Sequence, residues 1–289
     1  MKTLTASINR LGNRSVNQDR CLIIRHDEKI LLAVADGMGG HTRGELAAQT
    51  AIESFQRSFE KLPGVIDDPL TFLQDAIQKA QTDIVLAGDK EVPTVDSRTV
   101  CVVCIVQGNH AWWGHIGDSR LYCLRFDQVT TRTRDHTPLE TLLANGEISE
   151  DRLRTHPLRN SVSRCLGGIQ KTPPKASFDH AALKNGDMIL LCSDGLWSAL
   201  PEKKLCSLNA AASLDIALTK LGEDAEHESY PNSDNISAVS LRWFDGATVM
   251  DDPAKNASDN TRASNGDPLQ TAIDEIHRAL IDYSDEMDA

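Results

Sequence analysis

Val100-Cys101-Val102-Val103-Cys104-Ile105-Val106-Gln107-Gly108-Asn109-His110-Ala111-Trp112-Trp113-Gly114-His115-Ile116 is two short apolar runs separated by three turn-forming residues. Both runs are rich in β-branched or aromatic residues and too short for an ordinary helix, so the stretch reads as an antiparallel hairpin. Similar strand-like runs occur at Ile30–Ala35, Met188–Cys192 and Ile236–Trp243, each bounded by Gly, Asp or Asn. Helical spacing lies between them. After Arg43 the positions Ala48, Ile52, Phe55 and Phe59 repeat on one face; after Asp68-Pro69, suited to an N-cap and first helical residue, so do Leu73, Ile77, Ala80 and Ile84. Strands and helices do not alternate as βαβ units. The expected fold class is therefore α+β, built on antiparallel sheets rather than a doubly wound parallel one.

The length of 289 residues fits one large domain with an appendage. Hydrophobic residues at 40% and charged residues at 25% belong to a packed protein and exclude both wholesale disorder and a disulfide-stapled miniprotein. A net charge of −12 argues against nucleic-acid and anionic-membrane binders, which need surplus Lys and Arg. Much of that charge sits from Gly246 onward. No apolar run approaches the ~18 residues that cross a bilayer, and the polar start Met1-Lys2-Thr3-Leu4-Thr5 lacks a signal-peptide core, so the expected location is the cytoplasm. The seven cysteines are an odd number, and Cys101 and Cys104, an i, i+3 pair in a strand, should face opposite sides. Free thiols are expected. The chain is expected to divide into one large domain over 1–245, a polar acidic linker over 246–266, and an amphipathic helix over 267–289. That helix carries Leu269, Ile273, Ile276, Leu280, Tyr283 and Met287 on one face behind an Asp267-Pro268 start, and it should dock on its own domain or bind a partner.

Chemistry concentrates in aspartates at strand ends. Asp36-Gly37 closes one apolar run and Asp194-Gly195 follows another; Asp234 precedes the run that opens at Asn235-Ile236; Asp118 lies in the turn Gly117-Asp118-Ser119-Arg120 after the hairpin. Asp19 ends Arg14-Ser15-Val16-Asn17-Gln18-Asp19. A lone Asp-Gly is ordinarily a turn, and Asp245-Gly246 is read as one. Several such aspartates together would be a costly cluster of like charge unless cations neutralise it, and an all-oxygen donor set without clustered His or Cys suits Mg²⁺ or Mn²⁺ rather than Zn²⁺.

The set Arg14…Asn17-Gln18-Asp19, Val34-Ala35-Asp36-Gly37-Met38-Gly39-Gly40-His41, Gly114-His115-Ile116-Gly117-Asp118-Ser119-Arg120, Leu191-Cys192-Ser193-Asp194-Gly195-Leu196-Trp197 and Asp234-Asn235-Ile236-Ser237 resembles the bacterial branch of the metal-dependent type 2C protein serine/threonine phosphatases, in the family's order over roughly residues 5–245. The resemblance implies a four-layer α-β-β-α sandwich with a metal cleft at one edge of its two sheets. It implies that Asp36 bridges two Mn²⁺ or Mg²⁺ ions, that the Gly37 carbonyl binds one, and that Asp194 and Asp234 bind the other. Asp19 would act through metal-bound waters, and Asp118 with Asp194 would hold a third ion. Two such cations generate hydroxide from a bridging water, which attacks phosphorus in line. Arg14 corresponds to the phosphate-holding arginine, whose planar fork grips two phosphoryl oxygens. The implied partners are phosphorylated proteins and a cognate bacterial-type Ser/Thr kinase.

The chain departs from the pattern in places. Gln18 replaces a common Glu, removing a carboxylate from behind the metals. Met38 replaces a histidine proposed as general acid in eukaryotic relatives, leaving His41 as a candidate. Ser97-Arg98-Thr99 replaces Gly-Thr-Thr before the central strand. The stretch from Asp135-His136-Thr137-Pro138 to His156-Pro157-Leu158-Arg159-Asn160 resembles the family's flap, where His136 and His156, each near a proline, read as turn residues rather than ligands. Two other functions fit the residues less well: a two-metal hydrolase of another phosphate ester, and a non-catalytic phosphoprotein-binding scaffold, which would not need Asp36, Asp194 and Asp234 together.

Overall fold

The computed structural model describes residues 2–38, 43–149, 156, 158, 161–168 and 175–245, all within the compact unit Met1–Gly246. His41, Arg159 and Asn160, the linker over 246–266 and the helix over 267–289 lie outside the described residues. The strands are β1 (Lys2–Arg10), β2 (Asp19–His26), β3 (Lys29–Gly37), β4 (Arg98–Gln107), β5 (His110–Ile116), β6 (Arg120–Arg125), β7 (Gln128–Arg132), β8 (Leu166–Gly167), β9 (Ser177–Ala182), β10 (Met188–Cys192) and β11 (Ile236–Phe244). The helices are α1 (Gly44–Glu60), α2 (Pro69–Asp89), α3 (Pro138–Ala144), α4 (Asp194–Trp197), α5 (Glu202–Cys206) and α6 (Leu214–Ser229).

The expected hairpin is the β4–β5 pair, antiparallel, with Gln107 opposite His110 and Gly108 at a φ of 58° in its turn. Around it one sheet runs β2-β3-β4-β5-β9 with β8 added to β4; the other runs β1-β11-β10-β6-β7, and every pairing is antiparallel.

Period-two alternation sorts the buried residues into layers. On β3, Leu31, Ala33 and Ala35 pack against α1 and α2, whereas Ile30, Leu32 and Val34 face the other sheet. On β4, Cys101, Val103 and Ile105 join the helical layer and Val102, Cys104 and Val106 the space between the sheets. Cys101 and Cys104 thus stand on opposite faces, and all seven cysteines are free thiols. On β10, Leu190 and Cys192 pack with Leu205, Leu218 and Leu221 of α5 and α6 on the outer face. Strands apolar on both faces are the signature of a sheet covered twice. The result is the four-layer α-β-β-α sandwich that the resemblance implied.

The helices start where their local chemistry allows. Asp68 caps α2 by accepting the Thr71 N–H at 3.1 Å, with Pro69 in the first turn, and Leu73, Ile77, Ala80 and Ile84 are all buried. Arg43 precedes α1 in the left-handed region and makes no side-chain cap. Sequence patterning singled out neither α6, which is capped by Ser213, nor the sheet-edge strands β1, β7 and β9. Those edges are half exposed and carry too few apolar residues to stand out. Among the described residues no helix is long and apolar enough to cross a membrane.

Candidate active site

Antiparallel registers carry the predicted aspartates to one edge. Asp19, at the start of β2, pairs directly with Asp36 near the end of β3, and Gly37 pairs with Thr99 at the start of β4. In the other sheet Cys192 at the end of β10 lies opposite Arg120 and Ala238, so Asp194 and Asp234 flank the same edge. Two hydrogen bonds join the sheets there. Ser193 donates its hydroxyl to Asp19 Oδ2 at 2.6 Å while its oxygen accepts the Ser237 N–H at 3.0 Å, and Asn235 Oδ1 accepts the Gln18 N–H at 2.8 Å.

A cleft of about 570 Å³ opens between the sheet ends, lined by Arg14, Asp36, Gly37, Met38, Asp118, Asp194 and Asp234 among others. Asp19 does not line it: 1% exposed, it lies behind Asp36. A second cavity of about 410 Å³ shares Arg14, Asp194 and Asp234 and continues past Trp197 to α3 and the end of α6. Gly37 is also a point of close approach. A Cβ there would come within 2.4 Å of the Gly44 backbone, so α1 begins against the Asp36-Gly37 corner and only glycine fits. Thr99 holds the same corner, donating its hydroxyl to the Asp36 carbonyl at 2.7 Å, and Met38 N–H donates to the Arg98 carbonyl at 3.0 Å. The altered Ser97-Arg98-Thr99 stretch therefore still supports the corner. Gln18 turns its side-chain amide to Glu45 at 3.5 Å, so a carboxylate from α1 stands near the position that its own lacks.

The electrostatics are those of crowded, buried carboxylates. Burial first, then the repulsion of Asp19, Asp194 and Asp118, holds Asp36 well above the usual carboxylate range. Asp194 is raised well above it for the same reasons, with Asp118 and Asp234 its strongest sources of repulsion. Asp118 is pushed up to about 7, by burial and then by Asp135. Asp19 reaches about 6 through burial, against which the Ser193 hydroxyl acts. Among the described residues no three His, Cys, Asp or Glu side chains form a ready-made metal-holding group. The donors of the cleft aspartates are all oxygens and their protonation is driven by burial first and mutual repulsion second, so the arrangement fits hard divalent cations, which would relieve both.

Arg14 stands at the rim, 56% exposed at its side chain, and donates to Asp234 Oδ2 at 2.7 Å. An exposed pair of this kind contributes only about 0–1 kcal/mol, so the guanidinium can exchange that partner for another anion at small cost.

A supporting group was not legible as such. Arg120 forks onto Asp135 with bonds of 2.8 and 2.7 Å, both residues are under a tenth exposed, and its guanidinium stacks 3.5 Å over the Trp197 ring. Trp197 in turn donates its indole N–H to the Asp118 carbonyl at 2.9 Å. His136, read as a turn residue, is instead 8% exposed and stacked on His115 with 4.6 Å between ring centres. Burial lowers it to about 3, so it stays neutral. Arg120, Ser193, Trp197 and Asn235 all occur in the quoted motifs, but each binds a group in another motif or segment, Ser193 reaching Asp19, Trp197 the Asp118 carbonyl and Asn235 the Gln18 N–H, and no local pattern announces such partners. His156 makes a local turn, its Nδ1 accepting the Leu158 N–H at 3.1 Å.

A family model described as "Protein phosphatase 2C" matches residues 9–220. The "Serine/threonine phosphatase stp" of Listeria innocua is 30% identical over 220 residues, spanning 74% of this chain and 84% of that protein. Among solved structures, the catalytic domain of the serine threonine protein phosphatase PstP in complex with 2 manganese ions superposes with a TM-score of 0.71 at 28% identity, covering 84% of this chain and 99% of that one. The Streptococcus agalactiae serine/threonine phosphatase shares the fold with a TM-score of 0.75 at 22% identity, over 84% of this chain and 100% of that one.

Proposed function

The chain belongs to the protein phosphatase 2C family of metal-dependent serine/threonine phosphatases, and from that membership we propose that it hydrolyses phosphoserine and phosphothreonine in proteins, in the cytoplasm, opposing a Ser/Thr kinase. The observation that carries this reading is the common edge of the two sheets, at which buried Asp19 and Asp118 and half-buried Asp36 and Asp194 meet Asp234 beside an exposed arginine. In this reading Asp36, Asp194 and Asp234, with the Gly37 carbonyl, hold two divalent cations, Asp19 supports them from behind, and Asp118 with Asp194 holds a third. When bound, Mn²⁺ or Mg²⁺ offsets the carboxylate charge and acidifies a water, so that hydroxide is available near neutral pH. Arg14 leaves Asp234 to grip two phosphoryl oxygens and align phosphorus with the cleft floor. The Met38 side chain has no ionisable proton to give, so the leaving serine or threonine oxygen takes its proton from solvent or from another residue. The second cavity, running from Arg14 to α3, receives the chain around the phosphoresidue.

The test is phosphate release from phosphoserine and phosphothreonine peptides, nucleotides and sugar phosphates by chelated protein given Mn²⁺ or Mg²⁺. Preference for the peptides is expected. Turnover confined to nucleotides or sugar phosphates would favour another phosphate ester as substrate, and peptide binding without turnover a scaffold.

A further inference from the structure

His136 lines neither cavity, yet it grips the turn that carries Asp118. Its backbone N–H donates to the Gly117 carbonyl at 2.8 Å, and the Gly117 N–H donates to its Nδ1 at 3.1 Å. A backbone amide can only donate, so Nδ1 is an unprotonated acceptor and the ring proton sits on Nε2, which donates to Ser177 Oγ at 2.9 Å. Both ring nitrogens are engaged, which excludes the ring as a cation ligand or proton carrier. Gly117 has a φ of 98°, and a Cβ there would lie 2.1 Å from Val100 Cγ1, so this turn has one residue type and one conformation open to it.

The consequence for Asp118 is geometric. The peptide plane before its Cα is held through the Gly117 carbonyl by the backbone N–H of His136, whose ring separately holds the Gly117 N–H one plane earlier, and the plane after its Cα is held through the Asp118 carbonyl by the Trp197 indole. With both planes held, the carboxylate direction depends on its two side-chain torsions alone. We propose that His136 is the positioning residue of Asp118: by accepting the Gly117 N–H through Nδ1 it fixes the backbone that aims the Asp118 carboxylate into the cleft, and so sets the affinity of the cation site to which Asp118 contributes. The proposal rests on the reading of Asp118 as a cation ligand.

Mn²⁺ titration of chelated protein, with free Mn²⁺ followed by electron paramagnetic resonance, reads this without turnover. The variants are Asp118→Asn, His136→Gln and His136→Asn. Asn places an acceptor oxygen where Nδ1 stood; Gln places its amide where Nε2 stood, within reach of Ser177 but not of Gly117. Asp118→Asn should lose one Mn²⁺ site; His136→Gln should weaken that same site about ten-fold, and His136→Asn should bring it back to within about three-fold of wild type. If Asp118→Asn loses a site while His136→Gln binds as wild type, or if Gln and Asn are equally weak, the role of His136 is overturned. If Asp118→Asn binds Mn²⁺ as wild type, the reading of Asp118 fails instead. Should His136→Gln not fold, His136→Asn decides: wild-type affinity with a slowly exchanging Gly117 amide upholds the proposal, and a weakened site or a freely exchanging amide overturns it.

Discussion

Breaking the Arg120–Asp135 pair tests whether this group in the wall of the second cavity is as well shielded from water as its low exposure indicates. Arg120 spends Nε and Nη2 on Asp135 and Nη1 on the Tyr122 hydroxyl at 3.0 Å, with side-chain exposures of 8% and 7% for the two partners. Removing one partner of a buried pair strands the other charge and costs about 3–5 kcal/mol. The two directions are not equal. Arg120→Met also loses the stacking on Trp197, worth up to about 2 kcal/mol, and leaves Asp135 to repel Asp118 unopposed. Asp135→Leu strands the arginine but relieves Asp118, so it belongs at the lower end, about 3 kcal/mol. The double variant Arg120→Met/Asp135→Leu leaves no charge stranded, and because the stacking loss occurs in both legs of the cycle, the coupling energy isolates the pair at about 3 kcal/mol. Urea unfolding in excess chelator measures all four proteins without a cation contribution. Asp135→Leu alone should lower Tm by about 6–12 °C for a domain of this size. Additivity within about 0.5 kcal/mol would refute the reasoning, since it would mean that water screens the pair.

Chelated protein should lose aryl-phosphate turnover and regain it with Mn²⁺ or Mg²⁺, and Asp36→Asn, Asp194→Asn and Asp234→Asn should each lower kcat by at least ~10³-fold with circular dichroism unchanged. Arg14→Ala should lower kcat/KM by about 1.5–3 kcal/mol in transition-state binding, chiefly through KM, while Mn²⁺ titration stays near wild type; unaltered kinetics would make Arg14 a surface residue only. Acid should destabilise the fold through His136, whose pKa falls from 6.5 in the unfolded chain to about 3. Above pH 6.5 both states are neutral and nothing is lost; below it the unfolded chain takes a proton that the folded one refuses, so stability falls by about 1.4 kcal/mol per pH unit, or about 2 kcal/mol at pH 5. His136→Gln should flatten the pH dependence of urea unfolding by that amount, and an equal slope in both proteins would contradict the assignment. Deleting residues 247–289 should leave aryl-phosphate turnover within a few-fold of wild type, and its abolition with Mn²⁺ binding intact would show that the C-terminal segment completes the catalytic domain.

Much of this protein is local and therefore legible in one dimension. Unbroken apolar runs in β3 and β4 announce strands covered on both faces, and Gln107-Gly108-Asn109 sets their neighbour antiparallel. Asp68-Pro69 announces a helix start because capping needs only residues three apart. The aspartates of the cleft were visible for the same reason: each ends or precedes a strand in its own motif. What no local pattern specifies is which of these ends meet. Asp19 faces Asp36 only through the β2–β3 register, and Gln18 reaches Asn235 across 217 residues of sequence. Ser193 binds Asp19, Arg14 pairs with Asp234, and Asp135 and His136 are buried rather than exposed in a turn, all because two sheets pack with one common edge. Periodicity tells a residue which face it occupies, but the partner across that face is chosen by register and packing, which are properties of the whole sandwich.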